Sequence, residues 1–370
     1  MNRPLRLIMP LLLASCMASP GGAAEHGLPS ALTGADGRAV VTLEAWQQRR
    51  REMTEILLHW QYGHPAAVPT VRAEKVQAET VPVEGLEAAP TRIMAELVFG
   101  PDDALHMTVA CWVPGDAKGP APTILAIEPV WWSDPFLRRG IIRRLLARGY
   151  GFAGFDHNAL ASYEDPNRCA ARHAYPDADW GVVAVAAWGC SVTMNWLQDR
   201  PEIDARHVAV WGHSRRGKSA LLAGALDERF AAVAPHQSGM AGSALYRVCG
   251  RGAQELEQLL ERYWLTERAF SFIDREDEMP FDQHWLAALV APRPLYVYVG
   301  TQDAWGNPLG ERAAFEAAQP VYQWLGHPER LVADFVEANH VDPGAPEGGP
   351  GWEALLDFLD AQWQTIGNRP

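Results

Sequence analysis

The chain reads as an α/β protein on a predominantly parallel sheet, and three observations lead there. From Thr123 onwards, short apolar segments alternate with amphipathic ones. Those apolar segments, such as HVAVWG at 207–212 and PLYVYVG at 294–300, are apolar almost throughout rather than at every second residue. Strands covered on both faces have that character. Ahead of them, residues 91–99 and 105–113 read as an antiparallel pair joined by the turn Gly100-Pro101-Asp102-Asp103. One domain over residues 25–370 accounts for the whole pattern.

In order, residues 25–44 read as an extended arm and 44–61 as a helix ending at Tyr62-Gly63-His64-Pro65. After the antiparallel pair come the strand TILAIEPV at 123–130, the amphipathic helix GIIRRLLARG at 140–149 and the strand YGFAGFD at 150–156. A helix over 180–198 leads to the strand at 207–212, a helix after Ser214 and the strand AAVAPH at 231–236. The strand at 294–300, a helix near 310–325, the strand LVADFVEA at 331–338 and a last helix over 352–365 complete the series. Residues 241–292 are the longest departure from the alternation and read as an insertion over the site, with a helix at 253–264. Helices on both faces make a three-layer αβα sandwich. An antiparallel pair feeding such a sheet suits the α/β-hydrolase fold.

A net charge of −13 argues against nucleic acid as a partner, because phosphate binding needs a basic face. Residues 1–24 have the form of an export signal: Arg3 and Arg6, the apolar run 5–14 and the small residues Gly22-Ala23-Ala24. The run is too short to cross a membrane. Leu13-Ala14-Ser15-Cys16 also resembles a lipobox, which would anchor the mature protein through a lipidated Cys16. Either route exports the protein to the periplasm, the outer membrane or the exterior. Cys111, Cys169, Cys190 and Cys249 are too few for a disulfide scaffold, although one bridge is open to them. No Cys/His cluster has metal-ligand spacing, so neither a metal nor a cofactor is expected.

Ser214 lies between the apolar strand at 207–212 and the helical run KSALLAGAL. A strand–turn–helix of this kind exposes a serine hydroxyl and directs the next backbone N–H at a developing oxyanion. The bland alternative is a helix N-cap. Ser191 follows a similar Gly-x-Ser but sits within the helix at 180–198, which cannot form such a turn. Ser238 follows a strand without a strong helix after it. A triad on this fold runs Ser, acid, His. Asp303 and His340 follow predicted strands in that order, where open sheets of this class build their sites. His213, His236, His284 and His327 lack that combination.

The segments VWGHSRRGKSALLAGALDERFAAVAPHQSG, MPFDQHWLAALVAPRPLYV and DAWGNPLGE resemble the glucuronoyl esterases of carbohydrate esterase family 15, bacterial members above all. The elbow of that family reads G-x-S-R-x-G-K, which accommodates a second glycine one place late. The resemblance implies cleavage of esters between 4-O-methyl-glucuronic acid on xylan and lignin alcohols. It makes Ser214 the nucleophile, His340 the base, Asp303 the acid, and Arg215 an oxyanion support through its N–H and guanidinium. Lys218, Trp305, Glu261 and Gln254 would hold the uronate. In many members the acid is a glutamate where this chain has Gln237, so the acid here is placed at Asp303. The chain is expected to be a monomer. Competing readings are an acetyl-xylan or general carboxylesterase on the same triad, and an inactive carbohydrate-binding homologue.

Overall fold

The computed structural model describes residues 27–130, 140–165, 167–340 and 351–363; the expected export signal at residues 1–24, with Cys16, lies outside them. A nine-stranded sheet runs in the order β1-β2-β3-β5-β4-β6-β7-β8-β9. Its strands are β1 (Arg72–Thr80), β2 (Thr91–Phe99), β3 (Leu105–Val113), β4 (Ala121–Ala126), β5 (Gly151–Phe155), β6 (Ile203–His213), β7 (Ala232–His236), β8 (Leu295–Gly300) and β9 (Leu331–Val336). The first three strands and the β3–β5 pair are antiparallel, and every pair from β5 through β4 to β9 is parallel. The chain reverses its direction of travel across the sheet at β4, so β4 and β6 flank the switch point where such sheets open a crevice.

The helices are α1 (Leu43–Leu57), α2 (Ile141–Ala147), α3 (Ala170–Ala174), α4 (Val182–Gln198), α5 (Arg215–Leu226), α6 (Leu256–Leu260), α7 (His284–Val290), α8 (Pro308–Trp324) and α9 (Trp352–Trp363). They divide between the two faces. Val208 and Val210 of β6 belong to one buried cluster with α1, α4, α5, α7 and α8, whereas Ala209 and Trp211 belong to the other with α2 and α9. The period of two along a strand buried on both sides explains why these strands are apolar throughout. No helix among the described residues is long and apolar enough to cross a membrane.

Four findings depart from the sequence reading. β1 (RAEKVQAET) has no apolar pattern and is largely exposed; it is an edge strand held by its ladder to β2 and by ion pairs such as Lys75–Glu96 at 2.5 Å. The strand expected over 123–130 ends at Ala126. HWLAALV, assigned to the insertion, is the wholly buried helix α7 and belongs to the helical layer. The helix expected over 253–264 is only Leu256–Leu260, because the chain turns left-handed at Tyr263, φ 56°. The four cysteines are free thiols, three of them buried, and burial pushes that of Cys111 up to about 12.

Candidate active site

β6 ends at His213, and α5 begins at Arg215. Between them Ser214 sits at φ 56°, ψ −126°, a backbone conformation that L-residues rarely adopt and that marks a strained turn. The glycines around it make the turn possible. A Cβ on Gly212 would lie 2.3 Å from the Arg216 carbonyl oxygen, and one on Gly217 2.9 Å from Cβ of Ser238. The second glycine is therefore required where α5 packs on the strand-end loop after β7, one residue later than the commoner spacing.

The Ser214 side chain makes no capping bond to α5. Instead His340 Nε2 is 2.9 Å from Ser214 Oγ, and His340 Nδ1 is 2.6 Å from Asp303 Oδ2. Asp303 follows β8 and His340 follows β9, so the acid and base come from the carboxyl ends of neighbouring strands. The carboxylate is buried and fixed from two further sides: Gly306 N–H donates to Oδ1 at 2.9 Å, and Gln237 Nε2 to Oδ2 at 3.3 Å. A Cβ at position 306 would fall 2.4 Å from Asp303 Oδ2, so glycine is needed for that approach. The buried carboxylate fixes Nδ1 as the protonated nitrogen and leaves Nε2 to accept the serine proton. The His213 ring lies against that of His340, centroids 4.8 Å apart.

Arg215 is the first residue of α5, so its backbone N–H has no intrahelical acceptor and lies at the positive end of the helix, next in the chain to Ser214. Its guanidinium pairs with Glu164 and lies 5.6 Å from the centroid of the Tyr163 ring. Arg216 turns elsewhere, to Glu128 at 2.7 Å and to His157 Nε2 at 3.1 Å. Burial pulls His157 down to about 3, so it is neutral and accepts that bond.

The residues expected to hold the uronate separate into two groups. Lys218, Gln254 and Trp305 are contiguous: Lys218 Nζ donates to Gln254 Oε1 at 2.9 Å, and Gln254 N–H donates to the Trp305 carbonyl at 3.3 Å. Glu261 is exposed at the end of α6 and, among the described residues, shares no hydrogen bond with that group. Trp305 is 43% exposed beside the acid, free to meet a ligand. Lys218 is buried, and its other two bonds, both 2.6 Å, run to the carbonyls of Ser238 and Met240. All three ammonium protons are thus already engaged, and a sugar hydroxyl would have to take one of these places.

Burial pulls the Lys218 ammonium down to about 7, opposed by Glu311 and Asp303. Burial conversely pushes Glu311 up to about 7; it accepts from Gly239 N–H at 3.1 Å and from the Ser243 hydroxyl. Between them Lys218 and Glu311 fix residues 238–243, the loop that begins at Gln237. Lys218→Met, apolar and of similar length, is therefore expected to lower stability by about 2–4 kcal/mol, since three buried acceptors lose their donor. Denaturant unfolding checks this; an unchanged midpoint with loss confined to uronate turnover would mean that the lysine serves the substrate alone.

Sequence reasoning missed Glu164, Tyr163 and Glu311. Glu311 falls within DAWGNPLGE, but nothing in a helical glutamate signals burial. Glu164 lies in a loop 51 residues from its partner Arg215, a separation with no local pattern.

A family model described as glucuronyl esterase, fungi, matches residues 101–326, more than half of the chain. The chain belongs to the glucuronyl esterase family. A carbohydrate esterase from an unknown prokaryotic organism is 28% identical, over 91% of this chain and 89% of its own length. A 4-O-methyl-glucuronoyl methylesterase of Schizophyllum commune is 27% identical, over 84% of this chain and 77% of the relative. Among solved structures, a glucuronoyl esterase from Solibacter usitatus matches with a TM-score of 0.75 at 28% identity, covering 91% of this chain and 98% of that one. A structure described as a promiscuous esterase of carbohydrate esterase family 15, from a marine bacterial metagenome, matches with a TM-score of 0.77 at 27% identity, covering 90% and 96%. The α/β-hydrolase reading of the sequence agrees with these neighbours.

Proposed function

We propose that this chain is an exported serine esterase that cleaves 4-O-methyl-glucuronoyl esters joining xylan glucuronate to lignin alcohols. The observation that carries the proposal is the relay Ser214 Oγ–His340–Asp303, at 2.9 and 2.6 Å, in a member of the glucuronyl esterase family. Relatives named as 4-O-methyl-glucuronoyl methylesterases support the substrate class.

Ser214 Oγ attacks the uronate carbonyl while its proton passes to His340 Nε2. The carbonyl oxygen becomes an oxyanion, met by the Arg215 N–H and its guanidinium, a cation whose effect grows as the charge develops. The carbon–oxygen bond to the alcohol breaks, and the alcohol takes the proton from His340. A uronoyl-serine remains. Water then attacks it, again giving a proton to His340, and Ser214 leaves with that proton. Trp305 is the residue proposed to lie against the sugar face. Residues 1–24 support export, and the same leader supports a lipid anchor at Cys16 as the finer alternative.

A general or acetyl-ester specificity is the second reading, favoured by the similarity to the esterase described as promiscuous. Rates on methyl 4-O-methyl-glucuronate and on acetylated xylan separate the two. The uronate ester is expected to be the better substrate, and Trp305→Ala is expected to cost it at least about tenfold more than a small aryl acetate. Equal losses would favour the broad reading.

A further inference from the structure

A cavity of about 340 Å³ is lined by Arg172, Asp179, Trp180, Tyr263, Glu267 and Arg268, among others. We propose that it is a subsite for a neutral sugar unit of the polysaccharide chain that bears the ester, with Tyr263 as the platform on which that sugar stacks. The proposal rests on the glucuronoyl-ester reading for the identity of the polymer.

Tyr263 is the first observation. α6 ends in a paired hydrogen-bond motif, Trp264 N–H to Leu259 O at 3.1 Å and Tyr263 N–H to Leu260 O at 2.9 Å, which places residue 263 left-handed. That position ordinarily carries glycine, because a side chain there is strained. Here it carries an aromatic residue that remains 43% exposed. Strained backbone is concentrated at functional sites, and here it presents an exposed aromatic ring. The backbone cannot drift to relieve it, because Val182 N–H donates to the Tyr263 carbonyl at 3.0 Å.

The charge of the lining is the second observation. Two guanidinium groups (Arg172, Arg268) and two carboxylates (Asp179, Glu267) line it, and Arg268 pairs with Asp179. A lining balanced in this way offers donors and acceptors without net attraction for an ion. Together with one exposed aromatic ring, that suits a hydroxyl-rich, uncharged pyranose, whose flat face packs on the ring while its hydroxyls bond around the edge. Arg172 lies over one face of the Tyr263 ring, 5.8 Å from its centroid, with two N–H groups on the Trp180 carbonyl, so a donor-bearing side chain is held beside the ring and the sugar is assigned to the opposite face.

The third observation is continuity with the triad. Arg262, beside Tyr263, approaches Glu164 at 3.9 Å, and Glu164 pairs with Arg215, the neighbour of Ser214. Arg262 and Glu164 thus connect the chain at Tyr263 to the oxyanion support. A polymer with its uronate at Ser214 would reach the cavity with a sugar further along the chain.

Tyr263→Gly separates a binding role from a structural one. Glycine relieves the left-handed strain, so thermal stability is expected to hold or rise, and turnover of methyl 4-O-methyl-glucuronate is expected to stay within about twofold of the parent. Turnover of the same ester on a xylo-oligosaccharide is expected to fall about tenfold, through KM, and Tyr263→Phe is expected to retain it. Xylotriose, which contains no ester, is expected to perturb the Tyr263 environment by NMR titration in the parent and not in Tyr263→Gly. Loss of stability together with turnover of the small ester would assign Tyr263 a structural role. Unchanged oligosaccharide kinetics and no xylotriose response would overturn the subsite. A changed benzyl-to-methyl ester ratio without an oligosaccharide effect would give the cavity to the alcohol and also overturn it. Failure of the parent enzyme on every glucuronate ester, with xylotriose still bound at Tyr263, would count against the esterase reading alone.

Discussion

Ser214→Ala is expected to reduce ester hydrolysis on the order of 10⁶-fold, as loss of a nucleophilic serine that acts as a unit with its base does elsewhere. The substitution removes one oxygen that, among the described residues, is partnered by His340 Nε2 at 2.9 Å. It leaves Gly212, Gly217 and the start of α5 untouched, and it gives up no helix cap, because the hydroxyl makes none. Stability is therefore expected to change by less than about 1 kcal/mol. The backbone at φ 56° adds a check. Ser214→Gly loses the same hydroxyl and also releases the strain, so it is expected to be equally inactive yet more stable than Ser214→Ala by about 0.5–1 kcal/mol. Turnover of methyl 4-O-methyl-glucuronate and thermal unfolding of the two variants test both halves. Substantial turnover by either variant would leave the turn as mere architecture.

The strands that place the site were legible because burial on both faces leaves little but apolar residues. HVAVWG, AAVAPH and PLYVYVG lie in β6, β7 and β8 to within a few residues of their ends. β1 was not legible: its nine residues gain their order from pairing with β2 rather than from a buried face. α7 was hidden for the opposite reason, since a seven-residue helix buried all round shows no amphipathic period and cannot be told from a buried strand. The order and strand-end placement of Ser214, Asp303 and His340 could be read from the chain. Which groups surround them could not. Glu164 reaches Arg215 across 51 residues, and Gln237 reaches both Asp303 and the carbonyl of Asn339, at 2.6 Å, across more. Lys218 shows the limit most clearly: its place in the elbow suggested a group turned to substrate, whereas the folded chain surrounds it with three acceptors.

Asp303→Asn is expected to cost about 10⁴-fold in turnover, the loss seen in the template triad when its acid becomes an amide. The local hydrogen bonds give the reason. Asp303 accepts from Gly306 N–H on Oδ1, and from both His340 Nδ1 and Gln237 Nε2 on Oδ2. An asparagine has one oxygen for these three donors. If that oxygen stays with Gly306, the amide nitrogen faces His340 and donates to Nδ1. The proton of the imidazole then moves to Nε2, which can donate to Ser214 but no longer accept from it. If the amide flips, Gly306 N–H confronts an N–H instead, and the stability cost is about 1–3 kcal/mol for a buried donor left unpaired. Even in that orientation no charge remains to balance the imidazolium. Gln237→Ala removes one donor to Asp303 and leaves the 2.6 Å bond to His340 in place, so its expected cost is a few-fold in turnover and about 1 kcal/mol in stability. Nor can Gln237→Glu simply inherit the acid's role: a carboxylate at 237 would face the Asn339 carbonyl where an amide now donates. In the Asp303→Asn background it is therefore expected to restore only a small part of the lost rate. Rates for the three variants on one uronate ester, set beside their unfolding midpoints, decide the matter. An Asp303→Asn enzyme that kept most of its activity, or a Gln237→Ala enzyme that lost as much as Asp303→Asn, would move the acid away from the end of β8.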